Sequence, residues 1–140
     1  MKDKFEKFVK SKFCLEIYSR EKLIFRSKKE GIQGILKFIK KQKKFPKNLI
    51  IFDKKIGNAV ALLLVYIKAK EVWGVVGSKL AKKTFKKFDI KFYFLKTIPN
   101  ILNKNGIDIC PLEKLSFLKT PREFYELVKN SIKYNGKTII

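Results

Sequence analysis

The stretch from Asn48 to Leu95 constrains this chain most. "NLIIFD" (48–53) is a continuous apolar run of strand length, the signature of a strand covered on both faces. "GNAVALLLVYI" follows, opening at Gly57 and apolar almost all round, which predicts a buried helix rather than a surface one. "EVWGVV" (71–76) is the next strand. Ser78 then caps a helix holding Leu80, Ala81, Phe85 and Phe88, and "IKFYFL" (90–95) is a third strand. Strands that alternate with helices over such short connections pair in parallel and are joined by crossovers, with helices on the sheet faces.

The residues before this stretch add an antiparallel edge. "DKFEKFVK" spaces Phe5, Phe8 and Val9 for a short first helix. "FCLEIYS" and "KLIFRS" flank a tight turn at Arg20–Glu21 and read as a hairpin. Ser27 and Glu30 have the spacing of a capping box ahead of Ile32, Ile35, Leu36 and Ile39, and Pro46 stops that helix from running on. Beyond the third strand, Cys110, Pro111 and Glu113 look like a helix start. Thr120, Pro121 and Glu123 are a second one. The expected fold is α/β: a three-layer α/β/α sandwich over residues 1–140 as a single domain, with a mixed sheet made of an N-terminal hairpin and parallel strands.

Charge is the second constraint. The 140 residues include 34 basic and 12 acidic ones, a formal net charge of +22. Such a field attracts polyanions and anionic metabolites. Only Arg20, Arg26 and Arg122 are arginines, and sequence-specific base readers depend on bidentate arginine. Lys, Ile, Phe, Asn and Tyr are also the residues of A/T-rich codons, so compositional drift accounts for the charge as readily as selection for binding does. The two cysteines suit a reducing compartment. No apolar run approaches the ~20 residues of a membrane span, and the start lacks a signal-peptide core. A soluble cytoplasmic protein without a membrane association is expected.

Three stretches carry a resemblance: "IIFDKKIGNAVALLLVY", "KEVWGVVGSKLAKKTFKKFDIKF" and "ILNKNGIDICPLEKL". Together with the element order, they make the chain resemble a small prokaryotic family of unknown function that has a cytidine-deaminase-like fold, over roughly residues 9 to 130. The resemblance implies that fold and raises the question of zinc. Deaminases of this fold hold the metal at two helix starts, one bearing H-x-E and the other P-C-x-x-C, and zinc activates the attacking water. The corresponding starts here fall near Ser27–Glu30 and Asp53–Gly57. Neither contains cysteine or histidine, and the chain has no histidine at all. A zinc-dependent deaminase is therefore excluded, and no metal or other cofactor is expected.

Candidate site residues follow from position. Asp53 stands at the end of a central strand, at the carboxyl edge where open α/β sheets bind ligands. Gly57 permits close backbone approach, and the free amides at Gly57 and Asn58 favour an anion. Equally, Asp53 and Gly57 serve to turn the chain. Glu30 falls near the place of the deaminase glutamate, although its capping role with Ser27 accounts for it. Cys110 has no histidine to act as its base, which excludes a Cys-His nucleophile and leaves a packed or ligand-lining thiol. Glu113 is placed with Cys110 at the rim of the site.

Two functional readings compete. In the first, Asp53, Gly57, Asn58, Glu30, Ser27, Cys110 and Glu113 gather around a nucleotide or similar anionic metabolite at the helix N-termini. In the second, the chain is a basic nucleic-acid-binding protein that makes non-specific lysine–phosphate contacts. Neither reading fixes a reaction or an oligomeric state.

Overall fold

A computed structural model describes residues 1–134 and 137–139 of the chain. Of the expected 1–140 span, residues 135, 136 and 140 lie outside the described residues. The elements run α1 (Lys2–Lys10), β1 (Leu15–Ser19), β2 (Lys22–Ser27), α2 (Gln33–Lys41), β3 (Leu49–Ile56), α3 (Asn58–Tyr66), β4 (Glu71–Ser78), α4 (Lys79–Lys87), β5 (Lys91–Ile98), α5 (Pro111–Ser116), α6 (Pro121–Val128), β6 (Ile132–Tyr134) and β7 (Lys137–Ile139). Strands β1 to β5 form one mixed sheet in the order β2-β1-β3-β4-β5. β3 pairs β4 and β4 pairs β5 in parallel, whereas β1 is antiparallel to both β2 and β3. The hairpin feeding a parallel set is thus observed. The short β6–β7 hairpin was not expected from the sequence.

Alternation along β3 divides the apolar residues between two clusters. Ile51 joins the larger one, built from α2, α3, Phe85 of α4 and Phe124 of α6. Phe52 joins a smaller one with Phe5, Phe8 and Tyr18. Phe5 meets Phe52 edge-on at 5.2 Å and also reaches Trp73 at 5.2 Å. Helix α3 is buried on every side from Asn58 to Leu64, as its almost wholly apolar sequence requires. Arg20 and Glu21 both take positive φ (50° and 68°), matching the twist a two-residue hairpin turn needs.

Two local expectations are corrected. Ser27 and Glu30 do not cap α2: the helix begins at Gln33 behind Ile32, without a side-chain cap bond. Ser27 is instead the last residue of β2; its carbonyl accepts from Cys14 N at 2.8 Å and its hydroxyl from Lys29 N at 3.1 Å. Gly31, at φ +66°, separates that turn from the helix. Asp53 does not end its strand either, because β3 continues through Lys54 and Lys55 to Ile56. Cys110 stands at the N-cap of α5 with Pro111 first in the helix, as expected, but makes no side-chain cap bond. The caps at Ser78 and at Thr120–Glu123 form as expected.

Candidate functional site

At their carboxyl ends β3 leads into α3 and β4 into α4. Gly57 precedes α3, and the first two amides of that helix are already engaged. Asn58 N donates to Glu113 Oε2 and Ala59 N to Glu113 Oε1, each at 2.8 Å. A carboxylate from α5 therefore sits where an anion at this helix start would sit. Gly57 is required by packing rather than by conformation: a Cβ there would stand 2.5 Å from both Glu113 Cδ and Ile101 Cγ1. Glu113 is buried, and burial pushes its pKa above the ordinary glutamate value, with the two amides opposing.

The side chain of Asn58 continues the network outward. Its Nδ2 donates to Ser116 Oγ at 2.9 Å and to Ser116 O at 3.3 Å, while Thr84 Oγ1 donates to its Oδ1. Ser116 Oγ closes the circuit on Glu113 O at 2.6 Å. Helices α3, α4 and α5 are thus joined by one buried, hydrogen-bonded node.

That node floors a cleft of about 500 Å³ between α3, α4 and the segment after α5. Leu62, Leu80, Phe88 and Phe117 supply apolar walls, and Lys83, Lys87 and Lys119 supply charge without any acidic residue in the lining. Lys87 lies over the Phe88 ring, with Nζ 5.5 Å from its centroid. Leu118, also in the lining, is fully exposed and held at φ +58°. Sequence reasoning found Asn58 but missed Thr84, Ser116 and the three lysines as a set. Lys83 and Lys87, four apart on α4, were the one readable signal.

The remaining expected residues take no part in this node. Asp53 lies opposite Leu15 on β1 and Gly74 on β4, and its carboxylate accepts from Lys55 N at 3.0 Å. It is only 6% exposed, and burial pushes its pKa up to about 8 despite nearby Lys54. Burial raises the Cys14 thiol as well, with the charges of Asp53 and Glu30 as the next contributors, and the Cys14 amide donates to Ser27 O at 2.8 Å. Cys110 is half-buried against the larger core, its amide donating to Ile101 O at 2.9 Å. Glu113, Gly57, Asn58 and Ile101 meet, whereas among the described residues the side chains of Asp53 and Ser27 bond only to neighbours of their own segments.

The donors at the two helix starts do not fit zinc. Gln33 and Gly34 open α2, and Asn58 and Ala59 open α3. Among the described residues no three of His, Cys, Asp or Glu come together. Likewise, among the described residues no helix is long and apolar enough to cross a membrane.

Comparison with known proteins gives one consistent result. The family model described as a domain of unknown function, DUF1893 (TM1506), matches residues 4–132. The crystal structure of a DUF1893 family protein (TM1506) from Thermotoga maritima is similar, with a TM-score of 0.81 and 29% identity, covering 91% of this chain and 86% of that one. No curated protein matches.

Proposed function

The chain belongs to the DUF1893 family, and from that premise we propose that it binds an anionic small molecule with an apolar or aromatic part, a nucleotide being the representative class. The observation that carries this reading is the cleft: a buried node of Asn58, Thr84 and Ser116 beneath three lysines and two phenylalanine rings. The node is internally satisfied, so it holds the floor rigid. The rings of Phe88 and Phe117 take the apolar part, and Lys83, Lys87 and Lys119 take the charge. The amides of α3 are committed to Glu113, which moves the anion from the helix start to this rim. No reaction is assigned.

The element order and the two clusters support a three-layer, cytidine-deaminase-like arrangement in one domain, with α1 against one sheet face and α2 to α4 against the other. In this reading the position of the deaminase metal site has become a structural joint, and ligand binding has moved to its outer side.

Native mass spectrometry of the intact protein tests the proposal. A retained small anion is expected, and Lys83→Glu/Lys87→Glu should lose it while folding normally. A protein free of small molecules that also fails to bind a panel of nucleotides would overturn the reading. Exposed lysines 79, 83, 86 and 87 along α4 favour a second reading, non-specific nucleic-acid binding. This reading requires affinity that falls steeply with salt and shows no base preference.

A further inference from the structure

β5 is an edge strand: β4 pairs one side of it, and among the described residues no backbone group pairs its other side. It is eight residues long, keeps an in-step pairing with β4, and stops only at Pro99. β2, the opposite edge, is shorter, and its pairing with β1 is broken by a register shift. A long, even edge is a ready template for a further strand.

The two faces beside this edge differ in chemistry. Tyr93 and Leu95 project on the face shared with Trp73 and are 50% and 51% exposed; the Trp73 and Tyr93 rings meet at 5.5 Å with their planes tilted by 60°. On the other face Phe92 and Phe94 pack under Phe85, which fixes α4 directly above β5. Ala81 and Phe85 mark the inward side of α4, and Lys83 and Lys87 face the cleft toward α3. At about 100° per residue, Lys82 and Lys86 then lie on the remaining flank, above the open edge of β5. Lys96 projects on that same face of the strand and is exposed.

We propose that β5 accepts an acidic, extended peptide segment from a partner protein as a sixth strand. Its alternate side chains meet two different surfaces: apolar residues lie on Tyr93 and Leu95, and carboxylates face Lys82, Lys86 and Lys96. Charge decides against a second copy of this chain. Each copy carries +22, and edge-to-edge pairing would bring two lysine rows together.

A labelled peptide alternating glutamate and valine is the probe, with a peptide of identical composition but blocked glutamates as the control. In low salt the alternating peptide should bind about tenfold more tightly than the control. Lys82→Glu/Lys86→Glu should weaken it by about tenfold or more, whereas Lys83→Glu/Lys87→Glu, the same charge change on the cleft flank, should weaken it much less. Hydrogen exchange on the unmodified protein should show new protection within Lys91–Ile98 when the alternating peptide is added. Equal binding of both peptides, equal loss in both double variants, or unchanged exchange in β5 would each overturn the proposal. A homodimer that protects β5 without any peptide would do the same. Because the cleft variants are the control, failure here leaves the metabolite reading to its own test.

Discussion

Glu113 accepts the backbone amide of Asn58 at 2.8 Å across 55 positions of sequence. With the matching bond from Ala59, one carboxylate both caps α3 and clamps α5 to it. Truncating this side chain at Cβ leaves two buried donors unpaired. Glu113→Ala should therefore cost about 2–4 kcal/mol, and Glu113→Gln, which keeps one acceptor, roughly half of that. Urea unfolding of both variants checks this. A loss below about 0.5 kcal/mol for alanine would show that water replaces the carboxylate freely.

Gly57→Ala reaches the same joint from the other side. Its new methyl would stand 2.5 Å from the Glu113 carboxyl carbon and must displace either that group or Ile101. Gly57 has an ordinary extended φ of −96°, so no backbone strain accompanies the change. The expected destabilisation is about 1–3 kcal/mol, and it should shrink markedly in a Glu113→Ala background, where the obstacle is gone. Additive losses in the double-mutant cycle would mean that the two residues do not share one joint.

The periodic parts of this fold were legible and its long-range joint was not. Parallel β3, β4 and β5, the buried α3 and the caps at Ser78 and Thr120 all follow from patterns within a few residues. Glu113 looked like part of a local helix start behind Cys110, because spacing alone cannot reveal a partner more than fifty residues upstream. Ser27 and Glu30 misled in the same way: S-x-x-E fits a helix start, but Ser27 remains in the sheet and Gly31 breaks the chain first. The cleft was readable only through Asn58 and the lysines of α4, since burial of Thr84 and Ser116 depends on how three helices meet.

Asp53 makes stability depend on pH. Its pKa rises from the ordinary 3.8 to about 8 on folding, chiefly through burial. The folded state therefore holds a proton that the unfolded state releases. The associated stability is fully present below pH 4 and is lost as pH rises toward 8, by up to about 1.4 kcal/mol per pH unit. Asp53→Asn keeps the shape and the acceptor for Lys55 without the charge. Relative to the parent it should be near neutral at pH 4 and stabilising by a few kcal/mol at pH 8. Parallel pH–stability curves for the two proteins would show that Asp53 titrates normally.

Thr84 tests whether the floor of the cleft matters to its rim. Its hydroxyl donates to Asn58 Oδ1, and Asn58 in turn holds Ser116 at the base of the Phe117–Lys119 segment. Thr84→Val preserves volume and shape but leaves that oxygen unpaired in a buried setting, at a cost of about 1–3 kcal/mol. If the node keeps α4 and α5 at a fixed separation, Thr84→Val should weaken nucleotide binding although Thr84 carries no charge. The weakening should persist at high salt, whereas the effect of Lys83→Glu/Lys87→Glu should fade as salt screens the rim. Titrations of both variants at low and high salt separate the two contributions. A Thr84→Val protein with parental affinity at both salt concentrations would confine ligand recognition to the lysines and rings.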